Sequence, residues 1–208
     1  MRIEHIAASA DRSGRFTVRF EDGSVMRLYR QTVEDFFLHS GLELDSTQMK
    51  NLREAAGQMS AKMRAVRIIS ASSVSKSELK RRLVQKGEDP VQAQEAVQWM
   101  SDLDLVDDAK TAELIVHSCI RKGYGLSRAK QVLYEKRIPK EFWEAALEDY
   151  PEQEDKILEF LRARLSENAD EKAVKRAIEA LLRRGHRYAQ IKKGLLQLNL
   201  GADEFPED

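Results

Sequence analysis

The side chains that most often carry catalysis or metal binding are few and scattered in this sequence. None of the four histidines has a second metal ligand at the spacing that would place both on one face of a helix. They are His5, His39, His117 and His186. The single cysteine, Cys119, excludes a disulfide framework or a CxxC metal site, and it falls in an apolar helical stripe where packing is the ordinary role. We therefore expect no metal and no cofactor.

A carboxylate cluster and a glycine-rich turn also have simpler explanations than chemistry. The cluster lies at a predicted helix junction and lacks the glycine that a calcium loop needs, so it fits helix capping. Its members are Asp102, Asp104, Asp107 and Asp108. The segment Gly123-Tyr124-Gly125 follows no predicted strand, which favours a turn over a phosphate-binding loop. No catalytic arrangement emerges, and the sequence predicts a protein that is not an enzyme.

Charge is segregated along a chain that is neutral overall, with 35 basic and 35 acidic residues. Residues 62–86 hold eight basic and one acidic side chain, and residues 87–116 hold eight acidic and one basic. The alternation recurs at 121–140 and 141–159, and it weakens at 162–193. Any single lysine is usually a solvated surface residue. Ion pairs within each helix would mix positive and negative side chains locally, however, and in this sequence the two kinds of charge stay in separate segments. The pattern predicts a basic surface and an acidic partner, either nucleic acid or a protein bound to it.

Three segments repeat one spacing of apolar and cap residues, with offsets of four and then ten positions. The repeated sets are Leu83, Gly87 and Val97, then Leu133, Arg137 and Leu147, then Leu181, Gly185 and Leu195. The sets advance by 50 and then 48 residues, room for about three short helices in each unit. Gly87 and Gly185 predict helix ends with a left-handed cap, whereas the helix before Arg137 is expected to stop at Ile138-Pro139.

The N-terminal region carries the pattern of a small sheet. Residues 15–20 and 25–29 alternate apolar and polar side chains, and Asp22-Gly23 between them is a hairpin signal. Residues 3–8 supply a third strand. A hairpin alone is marginal in water, so we expect this sheet to pack on helices.

Helical patterns follow the hairpin. Thr32 is a plausible N-cap for a helix through Phe36 and Phe37 that ends at Gly41, and a longer pattern begins at Asp45 or Ser46. The sequence thus predicts a mainly α protein with an N-terminal β-hairpin domain. The expected divisions are 1–60, repeats at 61–106, 107–150 and 151–200, and an acidic tail at 201–208. No segment approaches about 18 uninterrupted apolar residues, and we expect a soluble, cytoplasmic monomer with no membrane contact.

Four segments together resemble the RecX regulatory family, the modulators of the RecA recombinase. They are SELKRRLVQKG at 77–87, LDLVDDAKTAELIV at 103–116, RKGYGLSRAKQVLYEKRIP at 121–139 and LLRRGHRYAQIKKGL at 181–195. The resemblance implies tandem three-helix repeats in an elongated, curved array. It also implies a non-enzymatic protein of recombination and DNA repair that lies in the groove of a RecA filament on single-stranded DNA and restrains ATP hydrolysis and strand exchange.

We expect the contact with the filament or its nucleic acid to use basic residues of the repeats and one tyrosine. They are Lys80, Arg81, Arg82, Lys86, Arg121, Lys122, Tyr124, Arg128, Lys130, Arg176, Arg183 and Arg184. Reversing Arg81, Lys122 and Arg128 to glutamate should relieve inhibition of the recombinase without unfolding the array. The alternative is a sequence-independent protein that binds single-stranded DNA and competes for the strand.

Overall fold

The computed structural model describes residues 1–9, 14–166 and 169–200, and the expected acidic tail lies outside that part of the chain. The described residues form a mainly α-helical structure with one small N-terminal sheet, as predicted. The chain divides into two compact units, Met1–Val106 and the residues from Asp107 onward. Within the described residues, no helix is both long and apolar enough to cross a membrane.

The first unit begins with an antiparallel sheet of three strands, β1 (Ile3–Ala8), β2 (Arg15–Phe20) and β3 (Val25–Tyr29), in that order. All three strands were predicted. The hairpin turn forms because Gly23 takes a φ of 81°, which glycine adopts readily, and because the Asp22 carboxylate accepts hydrogen bonds from the amide and hydroxyl of Ser24.

The helix after the sheet is shorter and begins earlier than predicted. Helix α1 spans Arg30–Asp35, directly after the extended backbone of Tyr29. Thr32 is therefore not the N-cap but a buried residue inside the helix. The helix stops well before Gly41, since Phe37 takes a left-handed φ of 48° and its side chain is 84% exposed.

Helix α2 (Ser46–Ala71) joins the sheet to the first repeat, and the division expected between residues 60 and 61 falls inside it. Asp45 and Gln48 form a capping box at its start. Its N-terminal part packs against the inner face of the sheet through Met49 and Leu52. Its C-terminal part completes the core of the first repeat with two further helices. These are α3 (Lys76–Gln85), capped by Ser75, and α4 (Pro90–Asp102), capped by Asp89.

The second unit contains two further helical groups, each with its own apolar core. The first group is α5 (Asp108–Arg121), α6 (Leu126–Glu135), a 3-10 turn (Lys140–Phe142) and α7 (Trp143–Leu147). The second group is α8 (Glu154–Arg162), α9 (Glu171–Arg183) and α10 (Tyr188–Gln197).

The repeated spacing in the sequence corresponds to one helix-ending motif. After α3, α6 and α9, a residue with positive φ follows the helix, at Gly87 (90°), Arg137 (57°) and Gly185 (87°). In each case the next amide donates to the carbonyl of the repeated leucine, at Leu83, Leu133 or Leu181. The expectation that Ile138-Pro139 replaces this cap is wrong. Arg137 takes the left-handed conformation itself, although a side chain there costs about 1–2 kcal/mol relative to glycine.

Candidate binding surface

The four predicted contact residues of the first repeat lie on or just after α3, around a buried carboxylate. Lys86 is exposed and Lys80 is half-buried. Arg81 donates from Nε and Nη2 to both oxygens of Glu78, at 2.8 and 2.7 Å, and Arg82 donates from Nε to Glu78 Oε1 at 2.7 Å. Glu78 therefore neutralises part of the basic charge that the sequence predicted for this helix. Glu78 precedes Arg81 by three residues and Arg82 by four, a spacing that favours ion pairs on a helix and that the sequence analysis did not use.

Glu78 is held ionised by these two guanidiniums. The hydrogen bond from Arg81 is the largest cause, and together with Arg82 it lowers the pKa of Glu78 to about 2 despite burial. The carboxylate fixes both arginines in one geometry. What the helix presents to a partner is thus the outer edges of two ordered guanidiniums.

We expect Glu78→Gln to destabilise the first unit at neutral pH by about 2–3 kcal/mol, because the buried carboxylate no longer accepts charge-assisted hydrogen bonds from two arginines. A carboxyl with a depressed folded-state pKa stabilises the fold above its unfolded value and loses that effect as pH falls toward the folded value. The gap between native protein and variant should therefore close as pH falls from about 4.5 toward about 2. Urea unfolding at pH 7 and pH 3 measures it. Glu159→Gln, at an exposed pair with Lys156, is the control and should leave stability nearly unchanged. A gap independent of pH would contradict the assignment.

In the second unit, four predicted residues from two different repeats come together, and we call them the joint cluster: Lys122, Tyr124, Arg128 and Arg184. The Arg184 guanidinium donates to the carbonyl of Lys122 and lies 5.5 Å from the centre of the Tyr124 ring. Arg128 pairs with Glu135 at 3.0 Å on the surface. Tyr124 is half-buried, and one face of its ring meets Arg184, so the residue bridges core and surface.

The joint cluster is held by a close contact between two backbones. The amide of Gly125 donates to the carbonyl of Arg184 at 2.8 Å. A Cβ placed on Gly125 would lie 2.0 Å from the carbonyl oxygen of Gly185, and one on Gly185 would lie 2.3 Å from the amide nitrogen of Arg128. Only residues without a side chain permit this approach.

The buried His186 and the half-buried Tyr150 reinforce the joint. His186 is 4% exposed, and its Nε2 donates to the carbonyl of Gly123 at 3.0 Å, because a carbonyl can only accept. Burial lowers the pKa of His186, which keeps the ring neutral. The Tyr150 hydroxyl donates to the carbonyl of Tyr124 at 2.6 Å, and burial raises the pKa of Tyr150 to about 12. From the sequence, His186 was considered only as a possible metal ligand, and this role was predicted for neither residue.

The other predicted contact residues of the second unit are exposed on three helices. Arg121 ends α5, beside the joint cluster, and Lys130 lies on α6. Arg176 and Arg183 lie on α9, and Arg183 is 3.9 Å from Glu179 across one helical turn. The structure thus brings together the residues at the joint and leaves these four as separate surface charges.

The groups that sequence reasoning assigned to structural roles occupy such roles. Asp107 caps α5 by accepting from the amides of Ala109 and Lys110, as predicted for its cluster. Cys119 is buried, and burial raises the pKa of its thiol. Nowhere in the described part of the chain do three or more His, Cys, Asp or Glu side chains gather as metal ligands would.

Solved structures share the fold. A crystal structure of regulatory protein RecX superposes with a TM-score of 0.63 at 20% identity, covering 92% of this chain and 98% of that one. The structure of RecX from Lactobacillus salivarius gives a TM-score of 0.59 at 24% identity, covering 71% and 99%. The architecture of strands and helical groups described above is therefore one that experiment has already shown in other proteins.

Comparison of sequences finds the same group of proteins. Residues 107–147 match the family model described as RecX, second three-helix domain. The chain is 24% identical to the regulatory protein RecX of Clostridioides difficile strain 630, over 92% of both chains. It is 31% identical to the regulatory protein RecX of Cronobacter sakazakii, over 41% of this chain and 58% of that protein. The chain is thus similar to RecX regulatory proteins over most of its length, and residues 107–147 match the second three-helix domain of that family.

Proposed function

We propose that this protein binds the filament that the RecA recombinase forms on single-stranded DNA, and that it restrains ATP hydrolysis and strand exchange there. It acts by binding and carries out no reaction of its own. Similarity to RecX regulatory proteins supports the regulatory role, and the arrangement of basic residues supports the acidic partner.

The observation that carries this proposal is the joint cluster. Three basic residues from two repeats are brought together by the contact between Gly125 and Gly185, on a chain whose net charge is zero. Arg184 contributes to the joint itself, because its guanidinium lies over the Tyr124 and Phe160 rings and donates to the Lys122 carbonyl. The exposed Lys122 and the surface pair of Arg128 are not needed for that packing, and their positive charge suits a partner that bears phosphates or carboxylates.

Measurement of two affinities tests the proposal. We expect the protein to bind a preformed RecA filament on a labelled oligonucleotide at least about tenfold more tightly than the same oligonucleotide alone, a difference of about 1.4 kcal/mol. It should lower the filament's ATPase rate at the concentrations that saturate binding. Equal affinities for filament and naked strand would instead favour a protein that competes for the DNA.

A further inference from the structure

The outer face of the N-terminal sheet carries a group of arginines that the proposed filament contact does not use. Val18 and Phe20 of β2 belong to the core, so alternation along the strand places Arg15 and Arg19 on the other face. On β3, Arg27 pairs with Thr17 and is therefore the diagonal neighbour of both arginines. Residues in such diagonal positions are about 7–8 Å apart, so Arg27 lies within side-chain reach of both Arg15 and Arg19.

A fourth arginine joins this face from α2. The side chains of Arg15 and Arg67 both donate to the Tyr29 hydroxyl, at 2.8 and 3.3 Å. Arg15 also lies 4.7 Å from the centre of the Tyr29 ring, and its buried Nε has no hydrogen-bond partner in the structure. Tyr29 thereby gathers two guanidiniums without neutralising either of them.

Unlike the arginines of α3, these four have no carboxylate against them. Among residues 1–9, 14–166 and 169–200, no ion pair involves any of the set, which is Arg15, Arg19, Arg27 and Arg67. Glu4 lies nearby, in the irregular pairing between Ile3 and His5 of β1. The face therefore has a clear excess of positive charge, with Arg19, Arg27 and Arg67 exposed to solvent.

We propose that this sheet face binds the phosphate backbone of single-stranded nucleic acid. Guanidiniums offer paired donors that match phosphate oxygens. A protein partner would call for an apolar centre, but the face carries Thr17 and Ala7 between its arginines, and its large exposed apolar residue, Val25, lies at the hairpin end. This site rests on the proposed function, because that function brings single-stranded DNA close to the protein.

The test uses the full chain, a fluorescent oligothymidylate and a series of salt concentrations. The variant is Arg19→Glu with Arg27→Glu, because both side chains are exposed and neither contributes to the core. We expect at least about tenfold weaker binding at low salt. The slope of log affinity against log salt should fall by about 0.7 for each phosphate that the variant no longer neutralises.

The matched control is Lys50→Glu with Arg53→Glu, on the exposed side of α2, which produces the same change in net charge. Retention of the native slope by the control would show that position, not net charge, matters. Equal salt slopes for the variant and the control would overturn the inference. It would also be overturned if the variant lost binding to polyglutamate as strongly as binding to oligothymidylate, because the ligand would then be an acidic protein. Filament binding by the variant is measured separately, so a failure here leaves the proposed function standing.

Discussion

Reversing two charges of the joint cluster, Lys122→Glu with Arg128→Glu, is expected to weaken binding to the RecA filament by about ten- to a hundredfold and to restore the filament's ATPase rate. The fold should survive. Lys122 contributes only its backbone carbonyl to the joint, and the pair between Arg128 and Glu135 is surface-exposed, where such pairs stabilise by under about 1 kcal/mol. Filament-bound ATPase, titrated with protein at fixed salt, measures the effect.

Arg81 is left out of this variant, although the sequence suggested it for charge reversal. A glutamate at that position would face the carboxylate of Glu78, which lies 2.7 Å from the present guanidinium, and two like charges there would destabilise α3. Loss of binding could then reflect unfolding. Lys50→Glu with Arg53→Glu serves again as the control of equal charge change. Inhibition equal to that of native protein by the folded double variant would contradict the role of the joint cluster.

Replacing Gly125 by alanine is expected to destabilise the second unit by about 2–4 kcal/mol and to separate its two helical groups. The new Cβ would lie 2.0 Å from Gly185 O and 2.5 Å from His186 N, both of them backbone atoms that cannot rotate away. Because Gly125 has an ordinary φ of −73°, the effect is purely steric. Thermal unfolding measures it, at about 4–8 °C for each kcal/mol in a unit of about 100 residues.

Gly57→Ala is the matched control for this substitution. Its Cβ would also be crowded, at 2.3 Å, but by the end of the flexible Gln92 side chain, which can move. Gly57 lies inside α2, where alanine is favoured over glycine by up to about 1 kcal/mol, so this variant should be as stable as native protein or more so. A Gly125→Ala protein with native stability would show that the two backbones are not in close contact.

Gly125→Ala also tests the proposed function without changing any charge. If the joint cluster binds the filament as one surface, moving Arg184 away from Lys122 and Tyr124 should weaken binding even though every cation remains. Filament binding by Gly125→Ala that matches native protein would separate the structural role of the joint from recognition.

The elements of this fold were predictable because their signals are local. The hairpin depends on Asp22-Gly23, the helix starts depend on Asp45, Ser75 and Asp89, and each repeat carries its own core positions. Such choices involve residues within about four positions of one another, so a single sequence reveals them. The left-handed cap at Arg137 is the exception. A residue with a side chain rarely adopts the left-handed conformation, so Arg137 did not predict this cap. The hydrogen bond from the Ile138 amide to the Leu133 carbonyl nevertheless stabilises it.

What the sequence determined by itself was therefore the set of strands, helices and repeats, together with a basic character for several helices. Which of those charges are available to a partner depends on how the helices pack. Glu78 engages Arg81 and Arg82 in the first unit, whereas Arg184 meets Lys122 across 62 residues in the second. Positions 125 and 185 need glycine because two backbone segments, distant in sequence, lie so close together that a Cβ on either residue would overlap the other segment. No local pattern encodes that distance, because it follows from the packing of whole helices.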